Sequence, residues 1–384
     1  MKHRINTKVR EIEISGIRRF FNMVNGYKDV VSLTIGQPDF PTPANIKAAG
    51  IKAIEEDRTS YTHNAGILPL REAISRHVQT NYRLDYAPED EIIVTVGASE
   101  ALDVTLRTIL EPGDEVILPG PVYPGYEPLV HLAGGQIVTV DTRKSNFKLT
   151  RAEIERAWTD KTKAVILPYP SNPTGVSMTE PELEDIADFL AGKHVFLIAD
   201  EIYSELVYER PHVSIASYDE LRDKVIVING VSKSHSMTGW RIGYLLAPRW
   251  LASHILKVHQ YNVSCPTSIS QYAALEALTN GKQDAEQMRD AYRKRRDYVT
   301  ERLRQMGLSF AEPEGAFYIF VEFPLEGRTT FDRAVQLVEE AKLALVPGDA
   351  FSASGQGFMR LSYAYHMDTL KEGLDRLEKF LQKN

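Results

Sequence analysis

Three short segments carry most of the side chains that could do chemistry together. Ser171-Asn172-Pro173-Thr174-Gly175 offers an amide, and Asp200-Glu201-Ile202-Tyr203 offers a carboxylate and a phenol. Ser232-Lys233-Ser234-His235-Ser236-Met237-Thr238-Gly239-Trp240-Arg241-Ile242-Gly243-Tyr244 offers a lysine and an arginine. A lysine amine shifts its pKa readily when buried or set beside other cations, so it can act as nucleophile and as proton carrier. An arginine presents a planar fork of donors matched to phosphate and carboxylate oxygens. Taken singly, each residue has a plainer reading. Lys233 is then a surface lysine in a serine-rich loop, Asp200 a helix N-cap, Asn172 a turn residue before Pro173, and Tyr203 a core aromatic.

Their shared setting argues for more. Each segment follows a short apolar run, at residues 164–167, 195–199 and 225–228. Similar runs lie at 92–96, 115–118, 137–140 and 242–246, and most lack polar alternation, so they read as strands buried on both faces. Helical stretches near 100–110 and 180–190 lie between them, the second opened by the N-cap residue Thr179 with Pro181 in its first turn. Strands alternating with helices predict an α/β domain with a mostly parallel sheet. In such sheets ligands occupy the crevice at the carboxyl ends of the strands, so the three segments converge on one pocket. Gly97-Ala98-Ser99 follows the run 92–96 and opens a helix beginning near Glu100. Its backbone N–H groups read as an anion site, or equally as an ordinary capped helix with Ser99 as N-cap.

The flanking regions differ. Residues 1–30 are polar, with an apolar patch at Ile12, Ile14, Ile17, Phe20 and Phe21 that reads as an arm packed on something. Three prolines between Pro38 and Pro43 forbid helix there. Beyond residue 280 comes a long charged helix, about 285–306, whose run Arg293-Lys294-Arg295-Arg296 reads as a solvated face. Strands at 318–323, 344–346 and 359–362, a helix near 331–341 and a final helix from Met367 complete a smaller α+β unit. The expected division is an arm with a small-domain segment at 1–45, a large domain at 46–283 and a small domain at 284–384.

Composition narrows the classes. The chain has 384 residues, 43% apolar and 25% charged, ordinary values for a folded protein. A net charge of −7 disfavours a nucleic-acid binder that relies on a basic surface. One cysteine, Cys265, excludes an intrachain disulfide and a Cys-cluster metal site, and a cytoplasmic setting is the simplest expectation. No metal is expected. No signal peptide is visible at Met1 to Arg10, and no apolar run approaches the roughly 18 residues of a membrane span. Neither the G-x-G-x-x-G nor the Walker phosphate signature occurs, nor does H-E-x-x-H.

Together these segments resemble the class I/II aminotransferases of fold type I, which use pyridoxal 5′-phosphate. The resemblance runs from Gly36-Gln37-Pro38-Asp39-Phe40 to Arg360-Leu361-Ser362-Tyr363-Ala364, with the lysine segment its most specific part. Arg10-Glu11-Ile12-Glu13-Ile14-Ser15-Gly16-Ile17 and His259-Gln260-Tyr261-Asn262-Val263-Ser264-Cys265 resemble a Gram-positive branch of N-acetyl-L,L-diaminopimelate and aromatic aminotransferases. The fold implied is a large domain with a mostly parallel seven-stranded sheet plus a smaller α+β domain.

The resemblance also implies roles. Lys233 forms the Schiff base with the cofactor and carries the proton between Cα and C4′. Asp200 faces the pyridine nitrogen, Asn172 and Tyr203 the phenolic oxygen, and Tyr123 stacks on the ring. Arg241 with Ala98 and Ser99 holds the phosphate. Tyr61 reaches the phosphate of a neighbouring subunit, which implies a homodimer with shared active sites. Arg360 clamps the substrate α-carboxylate, while Gly36 and Asn172 line the substrate. Many relatives have Ser or Thr three residues before the lysine. Here that residue is Gly230, which leaves open whether Ser232 supplies the hydroxyl.

The implied reaction moves an amino group between an L-amino acid and a 2-oxo acid, with 2-oxoglutarate and glutamate as one pair. Some aspartate enzymes of this branch carry lysine where Ser99 stands, so N-acetyl-L,L-diaminopimelate or aromatic donors rank above aspartate. Ile14 and Ile17 of the arm are expected to cover the site and favour such donors. A C–S β-lyase and a non-catalytic pyridoxal-phosphate-binding protein are the competing readings.

Overall fold

The computed structural model describes residues 1–383. A short strand β1 (Val31–Ser32) precedes the seven strands of the central sheet. These are β2 (Ile92–Thr95), β3 (Glu115–Gly120), β4 (Gln136–Asp141), β5 (Thr162–Leu167), β6 (Phe196–Asp200), β7 (Val225–Gly230) and β8 (Gly243–Leu246). Their order is β2-β8-β7-β6-β5-β3-β4. All neighbours run parallel except β8, which is antiparallel to both β2 and β7. This is the expected mostly parallel seven-stranded sheet.

The strands of this sheet other than β4 are largely buried and apolar on both faces because helices cover both. Residues such as Ile92, Val94, Val165 and Leu197 pack into one core, and Ile93, Ile166, Ile198 and Ile226 into the other. The edge strand β4 is the exception. Its residues are half-buried or exposed, whereas the other edge strand, β2, is buried throughout.

Four further strands form the smaller unit: β9 (Tyr318–Glu322), β10 (Leu343–Ala344), β11 (Val346–Pro347) and β12 (Phe358–Ser362). Strand β12 lies between β11 and β9, antiparallel to both, while β1 pairs in parallel with β10. The single strand expected at 344–346 is thus two strands in two sheets, broken at Leu345. Phe20 and Leu33 from the start of the chain share a core here with Tyr292, Phe317, Leu337 and Phe380.

Local signals placed most helices well. Thr179 caps the helix Glu180–Ala191 in a reciprocal capping box with Glu182. The prolines at 38–43 hold an extended segment until the helix Ala44–Glu55 begins. The long charged helix, Lys282–Gln305, departs from expectation, since its basic run is not wholly solvated. Arg295 is buried against Asp39 at 2.7 Å, and Arg296 against Glu209 and Asp297, each at 2.6 Å. Their guanidinium planes lie on Phe40 and Tyr208. No described helix is long and apolar enough to cross a membrane.

Candidate active site

Strands β5, β6 and β7 lie side by side and parallel, so their carboxyl ends open onto one edge of the sheet. Asp200 is the last residue of β6, and the segments bearing Asn172 and Lys233 follow β5 and β7. Antiparallel pairing of β2 with β8 sets Thr95 opposite Gly243. Arg241, just before β8, therefore meets the Gly97 turn just after β2. A Cβ on Gly97 would lie 2.4 Å from Arg241 Nη2, and Gly97 has φ +76°, so glycine alone suits this approach. The helix Gly97–Ile109 begins three residues earlier than expected, which puts Gly97, Ala98 and Ser99 in its first turn with free N–H groups.

A cavity of about 760 Å³ opens here, of a size suited to a small-molecule ligand. Eleven of the twelve residues singled out in the sequence line it: Gly36, Ala98, Ser99, Tyr123, Asn172, Asp200, Tyr203, Ser232, Lys233, Arg241 and Arg360. Tyr61 is not among its lining residues and is 87% exposed. The arm contributes Ile17, Arg18 and Phe21 to the cavity wall. Ile14, expected beside them, is instead exposed to solvent, although Glu13 and Ser15 on either side of it reach the cavity wall.

Lys233 Nζ donates to the Gly36 carbonyl at 2.7 Å. Burial pushes its amine down to about 8, with the charges of Arg360 and Arg241 acting in the same direction. Such an amine is partly unprotonated near neutral pH. Burial pushes Asp200 upward, opposed by a hydrogen bond from the Tyr126 hydroxyl at 2.6 Å. Tyr203 is buried, with its hydroxyl 3.0 Å from that of Tyr318.

Arg360 stands on β12, opposite Phe320 on β9. It is buried, yet no carboxylate among the described residues pairs with it. Its Nη1 donates to Asn172 Oδ1 at 2.8 Å and its Nη2 to the Thr34 carbonyl at 2.6 Å, while Nε has no partner. The guanidinium lies between the rings of Tyr318, at 4.4 Å, and Phe351, at 5.0 Å. A buried cation without an anion is costly, so this geometry calls for a small carboxylate from outside the chain.

Gly230 is explained by packing. A Cβ there would meet Gly243 Cα and the Ile242 carbonyl, each at 2.9 Å, so β7 and β8 leave no room for a hydroxyl-bearing side chain. Sequence reasoning missed Tyr126, Tyr318 and Thr34. Tyr126 follows Tyr123 by three residues, and Tyr318 precedes Phe320 by two on the strand facing Arg360. Those spacings were visible, but nothing in them named the partners.

One cavity thus holds a buried lysine, the first turn of a helix beside Arg241, and a buried arginine with no acidic partner among the described residues. The family Aminotransferase class I and II matches residues 28–377. The probable N-acetyl-LL-diaminopimelate aminotransferase of Bacillus subtilis (strain 168) is 60% identical over 383 residues, covering 100% of this chain and 97% of that one. An aspartate aminotransferase of Pyrococcus abyssi is 41% identical, covering 96% of each chain. The crystal structure of an aromatic aminotransferase from Pyrococcus horikoshii OT3 superposes with a TM-score of 0.90 at 39% identity, covering 95% of this chain and 99% of that one. The chain belongs to the class I and II aminotransferases and is a pyridoxal-phosphate-dependent transferase of fold type I.

The residues fit that cofactor. A cradle of N–H groups beside Arg241 suits a phosphate, a buried carboxylate suits a protonated ring nitrogen, and an amine with lowered pKa suits an aldehyde.

Proposed function

We propose that this enzyme exchanges an amino group between N-acetyl-L,L-diaminopimelate or an aromatic amino acid and the 2-oxoglutarate/glutamate pair. The observation that carries the amino-acid part is Arg360, a buried guanidinium with an orphaned Nε and no acidic partner among the described residues. The donor reading is supported by the B. subtilis relative, by the neutral Ser99, and by the apolar wall of Ile17, Phe21, Pro128 and Leu129.

When bound, pyridoxal phosphate supplies an aldehyde that captures the amine and a protonated ring that accepts the electron pair released at Cα. The chain supplies the rest. The N–H groups of Gly97, Ala98 and Ser99 with the Arg241 fork would hold the phosphate, and Ser232 would add a nearby hydroxyl. Tyr123 would pack on the ring, and Asn172 and Tyr203 would hold the phenolic oxygen. Asp200 keeps the ring-nitrogen proton in place, itself fixed by Tyr126. Arg360 orients the substrate carboxylate, and Lys233 takes a proton at Nζ and returns it.

We read the chain as an arm with a small-domain segment (1–45), a large domain (46–283) and a small domain (284–384). In this reading it works as a cytoplasmic homodimer in which Tyr61 completes the neighbouring site. Its high exposure leaves it available for that contact.

Steady-state kinetics over N-acetyl-L,L-diaminopimelate, tyrosine, phenylalanine and aspartate, each with 2-oxoglutarate, test the donor assignment. Highest kcat/KM for the first three is expected. A preference for aspartate of about a hundredfold, some 2.7 kcal/mol, overturns it.

A further inference from the structure

We propose that Tyr318 is a positioning residue that links the Arg360 clamp to the Tyr203 phenol, so that a carboxylate arriving at Arg360 is felt at Tyr203. The proposal rests on Arg360 and Tyr203 having the roles given above. Tyr318 is buried on β9, two residues from Phe320, which lies opposite Arg360. Residues two apart on a strand share a face, so the Tyr318 ring lies beneath the Arg360 guanidinium, 4.4 Å from its Cζ. At the far end of the same ring, the hydroxyl is 3.0 Å from the Tyr203 hydroxyl.

The bond between the two hydroxyls can run in either direction. Among the described residues, the Tyr318 hydroxyl has no hydrogen-bond partner except Tyr203. If Tyr318 donates, both hydroxyl protons are used, and Tyr203 keeps its own proton to donate into the cavity. If Tyr203 donates instead, Tyr318, which also lines the cavity, keeps its own proton to donate there. A hydroxyl that accepts one hydrogen bond donates the next more strongly. In either direction the two phenols polarise each other, and removing the Tyr318 hydroxyl takes from Tyr203 its buried hydrogen-bond partner.

The arrangement is also sterically fixed. A Cβ on Gly36 would lie 2.7 Å from the Tyr318 hydroxyl, so the tyrosine fills the space the glycine leaves. The same glycine's carbonyl receives the Lys233 amine at 2.7 Å. Phe317 packs against the Tyr318 ring with centroids 4.8 Å apart. One side chain thus touches the clamp cation, the Tyr203 phenol and the turn that holds the lysine. Arg360 has a separate route through Asn172 Oδ1, so Tyr318 carries part of the coupling.

The test uses holoenzyme and the pH midpoint of the bound cofactor's visible absorbance, measured with and without 3-phenylpropionate, an unreactive monocarboxylate. In the wild type, the carboxylate neutralises Arg360 and raises the midpoint. In Tyr318→Phe the ring remains, so 3-phenylpropionate affinity stays within about twofold, while the midpoint rise falls to about half or less. In Tyr318→Leu the ring is lost too, and affinity falls about fivefold. A full midpoint rise in Tyr318→Phe, with cofactor content and circular dichroism unchanged, overturns the proposal. A wild type whose midpoint ignores the carboxylate removes the clamp reading and this proposal together, which separates the two failures.

Discussion

The Tyr126 hydroxyl donates to Asp200 Oδ2 at 2.6 Å, and both residues are buried. This bond favours the ionised carboxylate, while burial favours the protonated form. A hydrogen bond to a charged acceptor is worth about 1.5–3 kcal/mol. Tyr126→Phe is therefore expected to weaken pyridoxal phosphate binding about tenfold, measured by fluorescence titration of the apoenzyme. An unchanged dissociation constant would show that Asp200 holds its charge without Tyr126.

Lys233→Ala is expected to retain the cofactor through Asp200, Arg241 and Tyr123. Turnover should fall by about a thousandfold or more, since the variant lacks both the covalent amine and the proton carrier. Borohydride reduction and peptide mapping should mark the wild-type Lys233 peptide and nothing at that position in the variant. Near-native turnover in the variant would exclude Lys233 from the chemistry.

The apoenzyme should show a pH-dependent stability difference from Lys233→Met. The lysine's folded-state value lies near 8, below its ordinary 10.5. Between those values the unfolded chain binds more protons than the folded one, so stability rises with pH through this window. The penalty for burying the ammonium is full below pH 8 and gone above 10.5. Lys233→Met should thus be more stable than wild type at pH 7 by roughly 1–3 kcal/mol, with the gap closing by pH 10.5. Urea denaturation across pH reads it directly. A gap that widens with pH would reverse the sign of the argument.

Arg360→Gln should lower kcat/KM for amino acid and 2-oxo acid alike, by about 2–5 kcal/mol, because both present the same carboxylate to one buried cation. Arg360→Lys should recover little, since a point charge cannot reproduce the fork that also reaches Asn172 and Thr34. A lysine variant within about threefold of wild type would show that charge alone suffices.

Much of this enzyme was legible in one dimension. Apolar runs bounded by turn residues located the strands of the central sheet, and the motif around Lys233 and Arg241 pointed to the chemistry. Thr179 and Pro181 announced their helix because capping is a contact within a few residues. Such features follow from backbone sterics and local hydrogen bonding, which the nearest neighbours in sequence dictate.

Pairings between distant segments had no such signal. That β4 is an edge, that residues 343–347 divide between two sheets, and that Arg295 and Arg296 are buried against Asp39 and Glu209 depend on which elements meet. The same is true of Tyr126 beneath Asp200 and Tyr318 beneath Arg360. The residue types at the site were written in the chain. The burial of Arg360 and the lack of an acidic partner for it among the described residues arose only when the fold removed water and chose its neighbours, because the energy of a charge is set by its three-dimensional surroundings.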